Sequence, residues 1–237
     1  RYPSHSKGYT WILLDLSLPG LKVIIHTFLL FFNNFSSYLS AFPLNSKDKT
    51  AEVLINLLNL ESKQLGYFPT SIYSDQGTKF INKEIKNFAT ENKIKLLTSE
   101  PYHPQHNGRA ERANRTILEA TRAVFSSSLI PKCYWHEVVR ATCLCLNQIP
   151  RLGTKDSPWK LIHKTDLPAD YLKPIGSSVV YLINNLPKGR KFDEKGAPGI
   201  LVGFNAPFHS YQILDASGAV VSTKHVSFLS QSHSHFP

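Results

Sequence analysis

The sequence has no methionine and three cysteines among its 237 residues. The cysteines are odd in number and form no C-x-x-C pair, which argues against a disulfide framework and against a four-cysteine zinc site. A reducing compartment is therefore expected. Because the first residue is Arg1 and no methionine follows, we expect this chain to be a piece of a longer one.

Long hydrophobic runs and acidic side chains are also scarce. The most apolar run, residues 23–32, is too short to cross a bilayer and is typical of a buried strand, so no membrane partner is expected. Lys and Arg number 27 against 17 Asp and Glu, a formal net charge of +10, and residues 101–200 carry most of the excess. This charge favours a polyanionic partner, most simply nucleic acid, over a solvated basic face with no partner.

The hydrophobic content of 42% is enough for a sizeable core and excludes a wholly disordered basic tail. Over residues 1–150, hydrophobic periodicity predicts three consecutive strands followed by alternating helices and strands. This order is typical of an α/β fold in which helices flank a mixed five-stranded sheet. The predicted strands are residues 11–15, 21–32, 38–42, 70–75 and 93–98; the predicted helices are residues 46–65, 82–92, 109–125 and 134–149.

The pattern changes after Pro150. Residues 151–175 are basic and rich in Pro and Gly, with little periodicity, and are predicted to form a connector. Residues 176–237 contain five short alternating runs separated by turn residues, which predict a small all-β module. Those runs are residues 179–183, 199–204, 211–214, 220–223 and 226–229. Three segments result, with residues 1–150 as the first domain.

Three carboxylates stand where a metal site would need them. Asp15 and Asp75 each end a predicted strand, and Glu111 begins the long predicted helix after a polar loop at residues 101–108. Hard cations such as Mg²⁺ prefer oxygen ligands, and two such ions about 4 Å apart can assist phosphoryl transfer. The alternative is that each acid merely caps or flanks its own element. Asp48, the other early acid, is better placed as a helix cap.

The surroundings of two of these acids carry a resemblance. Asp75 and Glu111 are separated by 35 residues and lie in YSDQGTKF (73–80) and PYHPQHNGRAERANRT (101–116). These motifs resemble the integrase catalytic core of retroviruses and LTR retrotransposons. Ser157-Pro-Trp159 resembles the region after the core in copia-type elements, and so do three motifs that follow it. These motifs are GILVGF (199–204), YQILD (211–215) and STKHVSF (222–228).

The resemblance implies a ribonuclease H-like core and a small β-rich C-terminal domain that contacts DNA. It implies an integrase that processes the 3′ ends of element DNA and joins them to target DNA. Asp15, Asp75 and Glu111 would be the catalytic residues and the ligands of two Mg²⁺ ions, for which Mn²⁺ can substitute. The residues expected to bind DNA are Gln105, Asn107, Arg109, Arg112, Asn114 and Arg115.

Further expectations follow from the same resemblance. The partners would be double-stranded DNA, both element ends and target, and further copies of the chain, since two ends must be joined together. The location would be the nucleus, with a cytoplasmic stage in virus-like particles. Arg115 also has a simpler interpretation, because it lies four residues after Glu111 and can form an ordinary salt bridge with it.

The sequence departs from the family pattern in three ways. The family's zinc-binding His/Cys domain is not within these 237 residues. Leu16-Ser-Leu-Pro-Gly20 follows Asp15 in place of an early Gly-Pro, and Asn34 stands where the family commonly has Asp. Two alternatives therefore stay open: a ribonuclease H-like nuclease that only cleaves, and a truncated or degenerate remnant that binds DNA or partner subunits without turnover.

Overall fold

A computed structural model describes residues 10–17, 27–33, 35–44, 49–74, 82–98, 104–183 and 194–229. The chain divides into two compact units. The first contains residues 1–119 and 142–166, and the second contains residues 120–141 and 167–237. Each unit is built around its own five-stranded sheet. None of the described helices is long and apolar enough to span a bilayer.

The sheet of the first unit is mixed, as the sequence predicted. Its strand order is β3-β2-β1-β4-β5. The first three strands pair antiparallel, whereas β4 pairs parallel with both β1 and β5. The strands are β1 (Thr10–Ser17), β2 (Thr27–Asn33), β3 (Leu39–Leu44), β4 (Ser71–Ser74) and β5 (Lys95–Thr98).

Five helices accompany these strands. The amide N–H of Ile85 donates to the side-chain oxygen of Asn82, which caps the second helix, and Gly66 ends the first helix in a left-handed conformation. Such caps satisfy backbone groups that a helix end leaves unpaired. The helices are α1 (Thr50–Leu65), α2 (Lys83–Glu91), α3 (Pro104–Ser127), α4 (Trp135–Leu146) and α5 (Pro158–His163).

Two consecutive phenylalanines of β2 show that helices cover both faces of the sheet. Phe31 is fully buried in a core with Leu54 of α1 and Ile85 of α2. Phe32 lines a cleft together with Ala113 of α3. Because successive strand residues point to opposite faces, α1 and α2 lie on one face and α3 on the other.

Helix α3 begins earlier than the sequence indicated. The polar loop predicted up to Gly108 is wrong from Pro104 onward, because Pro104 starts the helix and Gly108 lies inside it. Proline is well tolerated in a first helical turn, and an internal glycine costs only about 1 kcal/mol relative to alanine. Glu111 is consequently in the third turn of the helix rather than the first.

A buried asparagine fixes the segment after α4 to the edge strand β3. The Asn147 side-chain oxygen accepts from the Leu39 amide at 2.8 Å, and its side-chain nitrogen donates to the Leu39 carbonyl at 2.7 Å. The Asn147 carbonyl in turn accepts from the Trp159 amide. The side chain thus satisfies both backbone groups of an edge residue as a further strand would.

Helix α5 lies in the segment predicted to be a featureless connector. Ser157 caps it and Pro158 begins it, an arrangement that favours helix initiation. Its Trp159 is buried and its ring centroid lies 3.8 Å from that of His163, whose Nε2 is 3.2 Å from the Tyr38 hydroxyl. Burial lowers the pKa of His163 and so favours its neutral form. The first part of the segment is therefore packed onto the first unit.

The sheet of the second unit is antiparallel throughout, as predicted, in the order β10-β6-β7-β8-β9. Residues 120–141, which belong to α3 and α4 and the turn between them, pack with these strands. Val138, for example, is buried against Val202 and Leu214. The domain boundaries that the sequence indicated, after residues 150 and 175, stay a prediction. The strands are β6 (Ser178–Leu182), β7 (Gly196–Asn205), β8 (Ser210–Asp215), β9 (Val220–Thr223) and β10 (Val226–Phe228).

We expect Asn147→Ala to lower the free energy of unfolding by about 2–4 kcal/mol, because it leaves the buried N–H and C=O of Leu39 without partners. Urea denaturation followed by circular dichroism measures this loss. Gln148→Ala is the matched control, since Gln148 makes a single 3.2 Å bond to the Leu144 carbonyl. Equal losses in the two variants would contradict the role given to Asn147.

Candidate active site

Strand β1 carries the first predicted ligand. Asp15 lies within β1 opposite Leu29 of β2, so its backbone is held on one side by an antiparallel neighbour. On the other side β1 pairs parallel with β4. The Asp15 side chain is outside the described ones, whereas its backbone position in β1 is described.

The second predicted ligand, Asp75, directly follows β4 and lies outside the described residues. The residue before it, Ser74, pairs with Leu13 of β1. Leu13 and Asp15 are two residues apart and therefore share one face of β1. Because β1 and β4 are parallel, β4 ends at the same edge of the sheet toward which Asp15 lies.

Helix α3 presents the third predicted ligand to solvent. Glu111 and Arg115 are exposed, whereas Ala113 and Ile117 are buried. Among the described side chains, no ion pair joins Glu111 to Arg115; the ion pairs present involve Glu137, Asp156 and Asp166. The simple i,i+4 salt bridge considered from the sequence is thus not formed, and both side chains are free to contact other groups.

Asn114 has an unusual environment for a polar side chain. Its side-chain oxygen is buried and has no hydrogen-bond partner among the described residues. Most buried polar atoms in folded proteins are paired, because leaving one unpaired costs free energy. One turn of helix separates Asn114 from Glu111. The unpaired oxygen is a feature that the sequence did not indicate.

The other predicted DNA-binding residues are distributed along α3. Gln105, Asn107 and Arg109 lie in its first two turns, and their side chains are outside the described ones. Arg112 is exposed and lines a cleft with Thr116, on a different side of the helix from Glu111. Arg112 lies about 100° around the helix from Glu111, and the DNA-binding roles of these residues stay predictions.

The donor set fits a hard divalent cation. Three carboxylates supply only oxygen ligands, which Mg²⁺ and Mn²⁺ prefer. Among the three predicted ligands, Glu111 is the one whose side chain is described. Within the described side chains, no group of three His, Cys, Asp or Glu could hold a metal ion. The cysteines offer no competing site: burial raises the pKa of Cys143 to about 12, so its thiol stays protonated.

Known proteins resemble this chain in sequence. The family model for the integrase core domain matches residues 17–104. A retrovirus-related Pol polyprotein from transposon TNT 1-94 of Nicotiana tabacum is 27% identical over 191 residues, which cover 79% of this chain. Residues 17–104 are thus similar to integrase core domains, and most of the chain is similar to a retrotransposon Pol polyprotein. The matched residues include Asp75 and end before Glu111.

Solved structures give the same fold. The catalytic core domain of BIV integrase superposes with a TM-score of 0.50 at 18% identity, covering 66% of this chain and 95% of that one. A chain of the simian T-cell lymphotropic virus intasome, solved in complex with the PP2A regulatory subunit B56 gamma, gives a TM-score of 0.52 at 19% identity. It covers 93% of this chain and 78% of that one. The integrase core is thus ribonuclease H-like, as the sequence resemblance implied.

The chain spans 14% of the length of the TNT 1-94 polyprotein.

We expect Asn114→Ala to raise the free energy of unfolding by about 0.5–1 kcal/mol, because it removes a buried unpaired oxygen and improves helix propensity. Thermal unfolding measures the change. Asn87→Ala, an exposed position inside α2, controls for propensity alone and is expected to give a smaller gain. A loss of stability in Asn114→Ala would show that this side chain is paired in solution.

Proposed function

We propose that this chain is the catalytic core and C-terminal part of a retrotransposon integrase, a metal-dependent polynucleotidyl transferase. It would process the 3′ ends of element DNA and join them to target DNA. The family model and the relatives support integrase activity in general. The specific chemistry rests on the three carboxylates Asp15, Asp75 and Glu111.

One observation carries this proposal: β1 and β4 are parallel neighbours in the sheet. Asp15 belongs to β1, and Asp75 directly follows β4 in the sequence. Glu111, on the face of the sheet covered by α3, is exposed and unpaired within the described part of the chain. Carboxylates on a rigid sheet and a long helix are held with the precision that a metal-dependent active site requires.

Asp15, Asp75 and Glu111 would hold Mg²⁺ through their oxygens. When bound, two such ions supply activation of the attacking oxygen and stabilisation of the leaving one. The attacking oxygen belongs to water in end processing and to a DNA 3′-hydroxyl in strand transfer, and no covalent protein intermediate is required. The chain's own role is to hold the ligands rigidly and to orient the DNA end.

The residues of α3 next to Glu111 would orient that DNA end. Arg115 is exposed one turn after Glu111 and forms no ion pair with it, so its guanidinium can bind a phosphate. Asn114 adds a side chain whose oxygen has no hydrogen-bond partner in the described part of the chain. Gln105, Asn107 and Arg109 precede them on the same helix and would extend the contact.

The partners would be double-stranded DNA, as element ends and as target, and further copies of the chain that hold the second end. Integration of element DNA into a genome would take place in the nucleus, after a cytoplasmic stage in virus-like particles. The net charge of +10 supports the DNA partner, because it raises the local concentration of a polyanion.

Asp75→Asn, Glu111→Gln and Asp15→Asn are each expected to abolish strand transfer, with a loss of at least about 10³-fold, because each removes a charged ligand. A labelled double-stranded DNA end, incubated with the chain and Mg²⁺ or Mn²⁺, reports joined products on a gel. Glu119→Gln is the matched control, since Glu119 is an exposed acid on the same helix.

Three results of that experiment would contradict the proposal. Cleavage without joining would identify a nuclease. DNA binding without turnover, even in Mn²⁺, would favour the remnant. Full activity in Asp15→Asn would move the first ligand elsewhere.

Arg115→Gln is expected to weaken DNA binding and to reduce by about 1 the slope of log affinity against log salt, because one phosphate contact is lost. Fluorescence anisotropy over a range of salt concentrations measures both quantities. Lys86→Gln on α2 is the control for an exposed cation of equal charge. An unchanged slope in Arg115→Gln would remove this residue from the DNA interface.

A further inference from the structure

The first unit contains a cleft of about 660 Å³ that the proposed chemistry does not use. Three separate parts of the unit form it: the turn between β2 and β3, the middle of α3, and residues 146–154 after α4. Neither Glu111 nor Arg115 lines it. A cleft of this size accommodates a few side chains of a bound peptide.

The rim of the cleft exposes large apolar side chains. Phe35 is 52% exposed, Ile149 59%, and Leu152 fully exposed. Nine large apolar residues are exposed in the described part of the chain, and these three border the same cleft. Clustered exposed apolar side chains mark interaction sites, whereas isolated ones do not.

The charge of the cleft has one sign. Arg112 and Arg151 line it, and no acidic side chain does so among the described residues. No described carboxylate forms an ion pair with either guanidinium. An Arg151 Nη donates to the Ser37 carbonyl at 3.3 Å, which holds that side chain at the mouth of the cleft. Two guanidinium groups that no described carboxylate neutralises favour an anionic ligand.

Helix geometry separates the cleft from the predicted catalytic face. Successive residues of an α-helix are rotated by about 100°, so Arg112 and Thr116 lie together one step around the helix from Glu111 and Arg115. Arg112 and Arg115 are three residues apart and are neighbours on the helix surface, so the cleft lies beside the predicted catalytic face.

The lining favours a peptide over DNA. Most of its side chains are aliphatic or aromatic, with Leu, Ile and Pro prominent, and such groups pack against apolar side chains. Phosphate recognition relies instead on polar and cationic groups. The chain itself offers no acidic occupant in residues 1–9 or 230–237, which contain no Asp or Glu. A second copy has the same net charge of +10 and so offers no acidic excess to the cleft.

From these observations we infer that the cleft is a docking site for an acidic, aliphatic peptide segment of another protein. Apolar side chains of the segment would pack between Phe35, Ile149 and Leu152, and its carboxylates would pair with Arg112 and Arg151. The site would hold a partner protein next to the integrase active site without entering it.

The test is a selection of displayed random 12-residue peptides on the intact chain. Selected peptides are synthesised with a fluorescent label and measured by anisotropy against the wild type, Arg151→Glu and Leu152→Ser. Lys155→Glu is the matched control, because it makes the same charge change four residues away and does not line the cleft. Leu152 and Arg151 are exposed, so neither variant should disturb folding; circular dichroism checks this.

We expect the selected peptides to combine Asp or Glu with Leu, Ile or Phe. Their affinity should fall at least about tenfold in Arg151→Glu and in Leu152→Ser and stay unchanged in Lys155→Glu. Strand transfer should be retained in all three variants. Peptides without acidic residues, equal affinity in Arg151→Glu, or failure to select any binder would overturn the inference. Competition by single-stranded or duplex DNA that depends on Arg151 would assign the cleft to DNA instead.

Discussion

The parallel pairing of β1 with β4 is the constraint on which the rest of the site depends. It gives the two strands a common direction, so that Asp15 and Ser74 lie toward the same end of the two strands although they are 59 positions apart in the sequence. Parallel strands require a crossover, which β2, β3 and α1 provide here. A slip of one residue in this register would turn the side chains of β1 to the opposite faces of the sheet.

The rotation of α3 about its own axis is the second constraint. Burial of Ala113 and Ile117 fixes which side of the helix meets the protein, and the remaining sides acquire their roles from that choice. One side exposes Glu111 and Arg115, and the next brings Arg112 into the cleft. A single amphipathic helix thereby serves two surfaces, one suited to phosphate and metal, the other to an apolar and acidic ligand.

Local pattern was sufficient to predict most strands and helices, the mixed sheet and the antiparallel C-terminal sheet, because burial imposes its period on the sequence. Prediction from the local pattern failed where local signals conflict with packing. Pro104 and Gly108 are typical of a loop, yet the helix that continues to Ile117 extends back through both.

The local sequence pattern could not predict contacts between residues that are distant in the sequence. Asn147 binds Leu39 across 108 positions, and Arg151 joins Arg112 in a cleft formed by three segments. Of the candidate site, the three carboxylates stay a prediction from the sequence and its family resemblance. The Asn114 oxygen, which has no partner among the described residues, required the structure.

The proposed active site requires that the carboxylates of Asp15, Asp75 and Glu111 bind the same divalent metal ions. Anomalous X-ray scattering from crystals of the chain soaked in MnCl₂ tests it most directly, because manganese scatters anomalously and occupies magnesium sites. The account predicts one or two anomalous peaks bonded to carboxylate oxygens of all three residues, and their disappearance in Asp75→Asn. Well-diffracting crystals with no such peak, or with manganese bound to other residues while these three carboxylates lie apart, would contradict it.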